Sequence, residues 1–204
     1  MELPSDDGPD EDFYRRMSAP ENEIPVALPQ NLLLARTDDA AVALLGLQVH
    51  TTGVSFTLVV RVRPSSERLA GRSLNELVWE HGPGAGRLLM GLEFSDGRRV
   101  STLGTPGAAN DVVFTNGGGS GGEASVEQSW WLNPLPPEGP LRFVVRCTEL
   151  GIEEASAVLD GAAIRWAAAD VVTLWPWAPP PEHRHAEPPC PPDVPSDSWF
   201  AGPS

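Results

Sequence analysis

Lysine is missing from this chain of 204 residues: all 14 basic side chains are arginine, set against 28 aspartates and glutamates for a formal net charge of −14. That shortage of positive charge argues against nucleic acid and anionic membrane as partners, because both are held by clustered cations. Cysteine is scarce. Cys147 in an apolar segment and Cys190 in a proline-rich one do not make a disulfide framework. No hydrophobic run approaches the roughly 18 residues a membrane span needs. Met1–Asp12 is acidic where a signal peptide would carry a cationic and then an apolar region, so the expected location is cytoplasmic. The phosphate-cradling, dinucleotide-binding, zincin and EF-hand spacings are all lacking, and no cofactor or metal is expected.

What is abundant is proline (22), glycine (20) and alanine, which together with the lack of lysine reads as the product of a GC-rich genome. The composition is uneven. Residues 1–23 hold eight acids against Arg15 and Arg16, and residues 176–204 hold four against Arg184. Segments of low hydrophobicity and high charge or proline content cannot bury enough apolar surface to offset ordering entropy. Two disordered tails are therefore expected, 1–23 and 176–204, around one domain at 24–175. In the first tail only Phe13, Tyr14 and Met17 could form a short sticky turn, on a partner or on the domain itself.

Within the domain, Val54–Arg63 is the clearest strand: Val54, Phe56, Leu58, Val60 and Val62 alternate with Ser55, Thr57, Val59, Arg61 and Arg63. Leu45, Leu47 and Val49 alternate before it, and the turn at Thr51-Thr52-Gly53 joins the two as an antiparallel hairpin. Ser73 and Glu76 stand at capping-box spacing ahead of Leu74, Leu77 and Val78. Ser95-Asp96-Gly97 is turn chemistry for a second hairpin. The run Gly117–Gly122 reads as a flexible loop, and strands are expected at 129–132, 141–147 and 154–159. A helix from Asp160, as N-cap, to Trp175 would present Ile164, Ala167, Ala168, Val171, Val172 and Trp175 on one face and end at Pro176. The fold expected is a mostly β, antiparallel sandwich of Ig-like or jelly-roll type with one C-terminal helix, the alternative being an α+β single sheet.

Few residues carry chemistry. Gly118-Gly119-Ser120-Gly121-Gly122 satisfies the Gly-x-Ser-x-Gly pattern of a nucleophile elbow, but that elbow needs a strand, a sharp turn and a helix, followed by an acid and a histidine. Here a β-like segment follows, and the later histidines, His183 and His185, lie in the tail. With Cys190 those two could ligand a metal, but a proline-rich tail offers no scaffold to fix the geometry. His50 and His81 read as boundary histidines, and the pairs Asp38-Asp39 and Glu153-Glu154 as solvated turn residues. Trp130 and Trp131 are adjacent in a strand, so period 2 sends them to opposite faces. An exposed one would mark a binding site, unless the C-terminal helix covers it. Trp199-Phe200, an aromatic pair in an acidic tail, has the form of a short docking motif.

The stretch Ser129-Trp130-Trp131-Leu132-Asn133-Pro134-Leu135-Pro136-Pro137-Glu138-Gly139-Pro140-Leu141, between GGGSGG and Glu149-Leu150-Gly151-Ile152, resembles one found in a family of uncharacterised proteins from high-GC Gram-positive (actinobacterial) bacteria. The resemblance implies a bacterial origin and no activity, so it assigns no site residue. The function expected from the sequence is a non-catalytic binding or assembly module that acts through a protein partner, with Trp130, Trp131, Gly118, Gly119, Ser120, Trp199 and Phe200 as candidate contacts. The alternative is a serine-type hydrolase built on the glycine run.

Overall fold

The computed structural model describes residues 11–69, 71–79, 88–103 and 111–179. In chain order they form α1 (Glu11–Met17), β1 (Glu23–Ile24), β2 (Val26–Leu28), β3 (Leu32–Arg36), β4 (Ala40–Val49), β5 (Val54–Val62), α2 (Leu74–Trp79), β6 (Leu89–Glu93), β7 (Arg99–Ser101), β8 (Val113–Gly121), β9 (Ser125–Asn133), β10 (Pro140–Cys147), β11 (Ile152–Asp160), α3 (Gly161–Ala168) and β12 (Val172–Thr173). The protein is mostly β. A six-stranded sheet runs β2-β4-β5-β9-β8 with β3 also paired to β4, a four-stranded sheet runs β11-β10-β6-β7, and β1 pairs with β12 in a two-stranded ribbon. All pairings are antiparallel.

The two larger sheets make a sandwich because each is apolar on one face. Val54, Phe56, Leu58, Val60 and Val62 on β5 are all buried, as their alternation predicts, and their β9 partners put Leu132, Trp130, Gln128 and Val126 on the same face. Met90 and Leu92 of β6 and Leu141, Phe143 and Val145 of β10 join the same core. Phe56 meets Phe143 edge to face across the gap, with ring centroids 5.5 Å apart. The single-sheet alternative is thereby set aside. α2 closes one end of the core through Leu74, Leu77 and Val78, and its capping box forms: the Ser73 hydroxyl accepts from the Glu76 amide at 3.1 Å while Glu76 accepts from the Ser73 amide at 3.3 Å.

Four expectations are corrected. On β4, Leu45, Leu47 and Val49 do not share one face. Gly46 has a left-handed φ of +60° at a register shift between Leu45 and Gln48, so Ala40, Val42 and Leu44 point inward before it and Leu47 and Val49 after it. The glycine run is not a loop, because β8 continues through Gly121 with Gly119 opposite Gln128 and Ser120 opposite Glu127. Its glycines make room: a Cβ on Gly119 would lie 2.0 Å from the Glu127 carbonyl oxygen, and one on Gly121 would lie 2.1 Å from Asn75 Oδ1 of α2.

The third correction concerns the C-terminal helix. Asp160 caps α3 by accepting from the Ala162 amide at 2.9 Å, but the helix stops at Ala168. The Asp170 amide bonds back only three residues, to Ala167, and the β-branched run Val171-Val172-Thr173 then goes extended to pair with β1. Ile164 and Ala167 are buried against β2 and β4, whereas Val172 and Trp175, expected on the same stripe, are exposed. Last, residues 11–23, expected within the N-terminal tail, hold α1 and the start of β1. Residues 1–10 and 180–204 lie outside the described residues.

Candidate binding site at the terminal ribbon

Period 2 places Trp130 on the inner face of the large sheet and Trp131 on the outer one, and both are buried. Trp130 stacks on Phe114, with centroids 4.5 Å apart and rings 25° from parallel, and its Nε1 donates to Gln128 Oε1 at 3.3 Å. Trp131 is covered from outside by α1 rather than by the C-terminal helix. Its Nε1 donates to the Arg16 carbonyl at 2.8 Å, and the Thr115 hydroxyl reaches the Met17 carbonyl at 3.5 Å. The indole rests on the hairpin at Gly53, where a Cβ would stand 2.6 Å from the ring and 2.3 Å from the Leu132 carbonyl oxygen. Each tryptophan thus has a structural seat.

Beside Trp131 the N-terminal segment ties itself down with charge. His50, at the end of β4, packs edge to face on Trp131 at 5.5 Å, and its Nδ1 lies 3.6 Å from Glu23 Oε2. Both side chains are only 6% exposed. Glu23 also accepts from the Thr51 amide at 3.0 Å and from the Thr51 hydroxyl, so the first residue of β1 is fastened to the β4–β5 hairpin. Burial holds the His50 imidazole below its ordinary value of 6.5, outweighing the pull of the Glu23 carboxylate. Among the described residues neither His50 Nδ1 nor the buried Asn22 Oδ1 has a hydrogen-bond partner, although Asn22 Nδ2 donates to the Trp175 carbonyl at 2.7 Å. The Leu174 amide donates to the Asn22 carbonyl at 2.8 Å and extends the ribbon by one more link.

The outward side of the same ribbon is apolar. Ile24 and Val172 stand directly opposite each other, and Leu174 follows two residues on. Ile24 is 52% exposed, Val172 55%, Leu174 44% and Trp175 58%. Next to them a cleft of about 370 Å³ is lined by Arg15, Met17, Asn22, Trp175, Trp177 and Pro179 among others. The Arg15 guanidinium stands over the Trp177 ring, 4.7 Å from its centroid. Sequence reasoning missed this surface. The available signal was the β-branched run after an alanine-rich helix, which marks a strand, and the composition break at Glu23, which marks its partner.

The other candidates fall elsewhere. Gly118, Gly119 and Ser120 lie on edge strand β8, with no helix following to make an elbow. By register His50 sits at the opposite end of the sheet, roughly 20 Å away at about 3.3 Å per strand residue. Asp39 pairs with Arg68 at 3.3 Å, and Arg63 donates to the Asp38 carbonyl at 2.8 Å. Glu153 lies 3.8 Å from Arg146. These acids sit in exposed ion pairs and turns. Among the described residues no three His, Cys, Asp or Glu side chains gather as metal ligands would, and no helix is long and apolar enough to cross a membrane. His81, His183, His185, Cys190, Trp199 and Phe200 lie outside the described residues. Comparison of the chain with protein-family models, with curated proteins and with solved structures finds no match.

Proposed function

We infer that this protein is a binding or assembly module whose contact surface is the outward face of the terminal ribbon. The observation that carries the reading is the inversion of that ribbon. Glu23 turns its carboxylate onto Thr51 and lies beside His50, while the cross-strand pair Ile24 and Val172, with Leu174 two residues on, is exposed on the other face and Trp175 is exposed just beyond. Exposed aliphatic and aromatic side chains on a ribbon held in place by a buried polar clasp are the form a protein–protein contact takes, because such side chains cost solubility unless something uses them.

The hydrolase alternative finds no support in the placement of Ser120, which has no elbow and, among the described residues, no histidine at its end of the sheet. The reading is tested by capture from a lysate of the cells that make the protein, comparing the native chain with Val172→Asp. Capture that is lost in the variant at unchanged melting temperature is expected. Equal capture by both, or none by either, would refute it.

A further inference from the structure

We propose that the outward face of the ribbon is covered by the chain's own C-terminus, with Trp199 and Phe200 seated on Ile24, Val172, Leu174 and Trp175. This rests on the binding reading only in taking that face as the contact surface. It makes the tail a built-in competitor for whatever partner uses it.

Three observations single out this occupant over a second copy or a foreign chain. The first is position: the chain leaves the ribbon at Trp175 and is described as far as Pro179, on the lip of the cleft, so the tail starts beside the surface it would cover. The second is reach. Trp199 comes twenty positions after Pro179, a reach of roughly 25 Å root-mean-square for a flexible chain and about 60 Å for a polyproline-like one. The third is charge. The tail beyond Pro179 has Glu182, Glu187, Asp193 and Asp197 against Arg184, and the lining of the cleft supplies one cation for them, Arg15, which stands over Trp177, beside one acid, Glu21. Asp197 comes two residues before the aromatic pair, so the acid can reach Arg15 as the rings arrive at the apolar face.

Tethering supplies the affinity. A short linker gives an effective concentration in the millimolar range, so two aromatic side chains can populate the docked state although the free peptide would bind weakly. A partner then meets a surface available only part of the time, and its apparent dissociation constant rises by the inverse of the open fraction.

The test uses the full chain, isotopically labelled, with a nitroxide at Cys190. Cys147 is fully buried, so the label reports from the tail. The expected result is broadening of the Ile24, Val172 and Leu174 amide signals and of the Trp175 indole signal, which is lost in Trp199→Ser/Phe200→Ser and unaffected by tenfold dilution. Equal broadening in the double variant would overturn the proposal, since proximity of the tail's root alone would then explain it. Broadening that occurs only in a mixture of nitroxide-bearing and isotope-labelled chains would assign the face to a second copy and also overturn it. The binding reading is scored separately: Val172→Asp losing its captured partner while the nitroxide effect is independent of Trp199 and Phe200 would leave that reading standing and remove only the tail.

Discussion

Two sets of tryptophans put the same side chain to opposite use. Trp130 and Trp131 on β9 are 9% and 4% exposed, each packed on a ring and each with its indole N–H hydrogen-bonded, whereas Trp166 and Trp175 in the C-terminal segment are 83% and 58% exposed. A buried indole removes a large apolar area from water and holds the sandwich together. An exposed one contributes little to that and is retained at the expense of solubility. The pairing Trp130-Trp131 attracts attention in the sequence, but the surface available to a partner lies where the chain pairs its two ends.

The sharpest way to break this contrast is to empty the buried sites. Trp130→Ala and Trp131→Ala are each expected to lose roughly 3–5 kcal/mol, the range for truncating a packed aromatic, out of the 5–15 kcal/mol a domain has available. Urea denaturation measures it. Trp131→Ala should in addition speed amide exchange in α1, whose Arg16 carbonyl then loses its donor. A variant within 0.5 kcal/mol of the parent would place that indole with the exposed set.

A smaller effect tests the seat of Trp131. Gly53→Ala should cost about 1–3 kcal/mol by overpacking, because the added methyl meets both the indole and the Leu132 carbonyl. Gly122→Ala is the control: its Cβ would meet nothing closer than 4.0 Å and its φ is not left-handed. It should be neutral or slightly stabilising. Equal behaviour of the two substitutions in thermal melts would mean that Gly53 is not the floor of the indole site.

The buried clasp gives a pH dependence whose sign follows from burial. His50 is held below its ordinary value in the fold, so the unfolded chain binds the proton more readily. Stability is then full above 6.5 and falls as the pH drops through the lowered value. Glu93 and Asp96 are also lowered, Glu93 chiefly by its bond from Arg99 and Asp96 by the Arg98 backbone, but their contributions are lost only at carboxylate pH, well below this window. Melting temperature against pH should decline below 6.5 for the native chain, and His50→Gln should flatten that first decline. An unchanged slope in the variant would move the effect to another group.

How much of this was legible in the sequence depended on whether local pattern or distant pairing decided the outcome. β5, the capping box of α2 and the Ser95–Gly97 hairpin all follow from neighbours in sequence, and the structure has them. The β4 inversion needed one glycine to adopt φ +60°, and the sequence left Gly46 indistinguishable from any other. The helix expected through Trp175 failed because Val172 and Thr173 found strand partners some 150 residues earlier, at Ile24 and Glu23. Helical periodicity in a window of sixteen residues carries no information about such a partner. The glycine run misled for a related reason: glycine marks a loop and a close backbone approach alike, and only the position of Asn75 on α2 distinguishes them.

The smallest expected effect on stability is the one most relevant to function. Trp175→Ser and Trp166→Ser remove rings that are mostly in water, so each should leave the denaturation midpoint within about 0.5 kcal/mol of the parent. Asn22 and Leu174 hold the Trp175 region through backbone groups, which the substitution leaves intact. If the ribbon face is the contact surface, Trp175→Ser should lose partner capture at least tenfold while Trp166→Ser, on the outer side of α3, retains it. Loss in both would extend the surface over α3. Destabilisation by more than 1 kcal/mol in Trp175→Ser would instead place that ring among the structural tryptophans, and the division between a packed sandwich and an available ribbon would no longer hold.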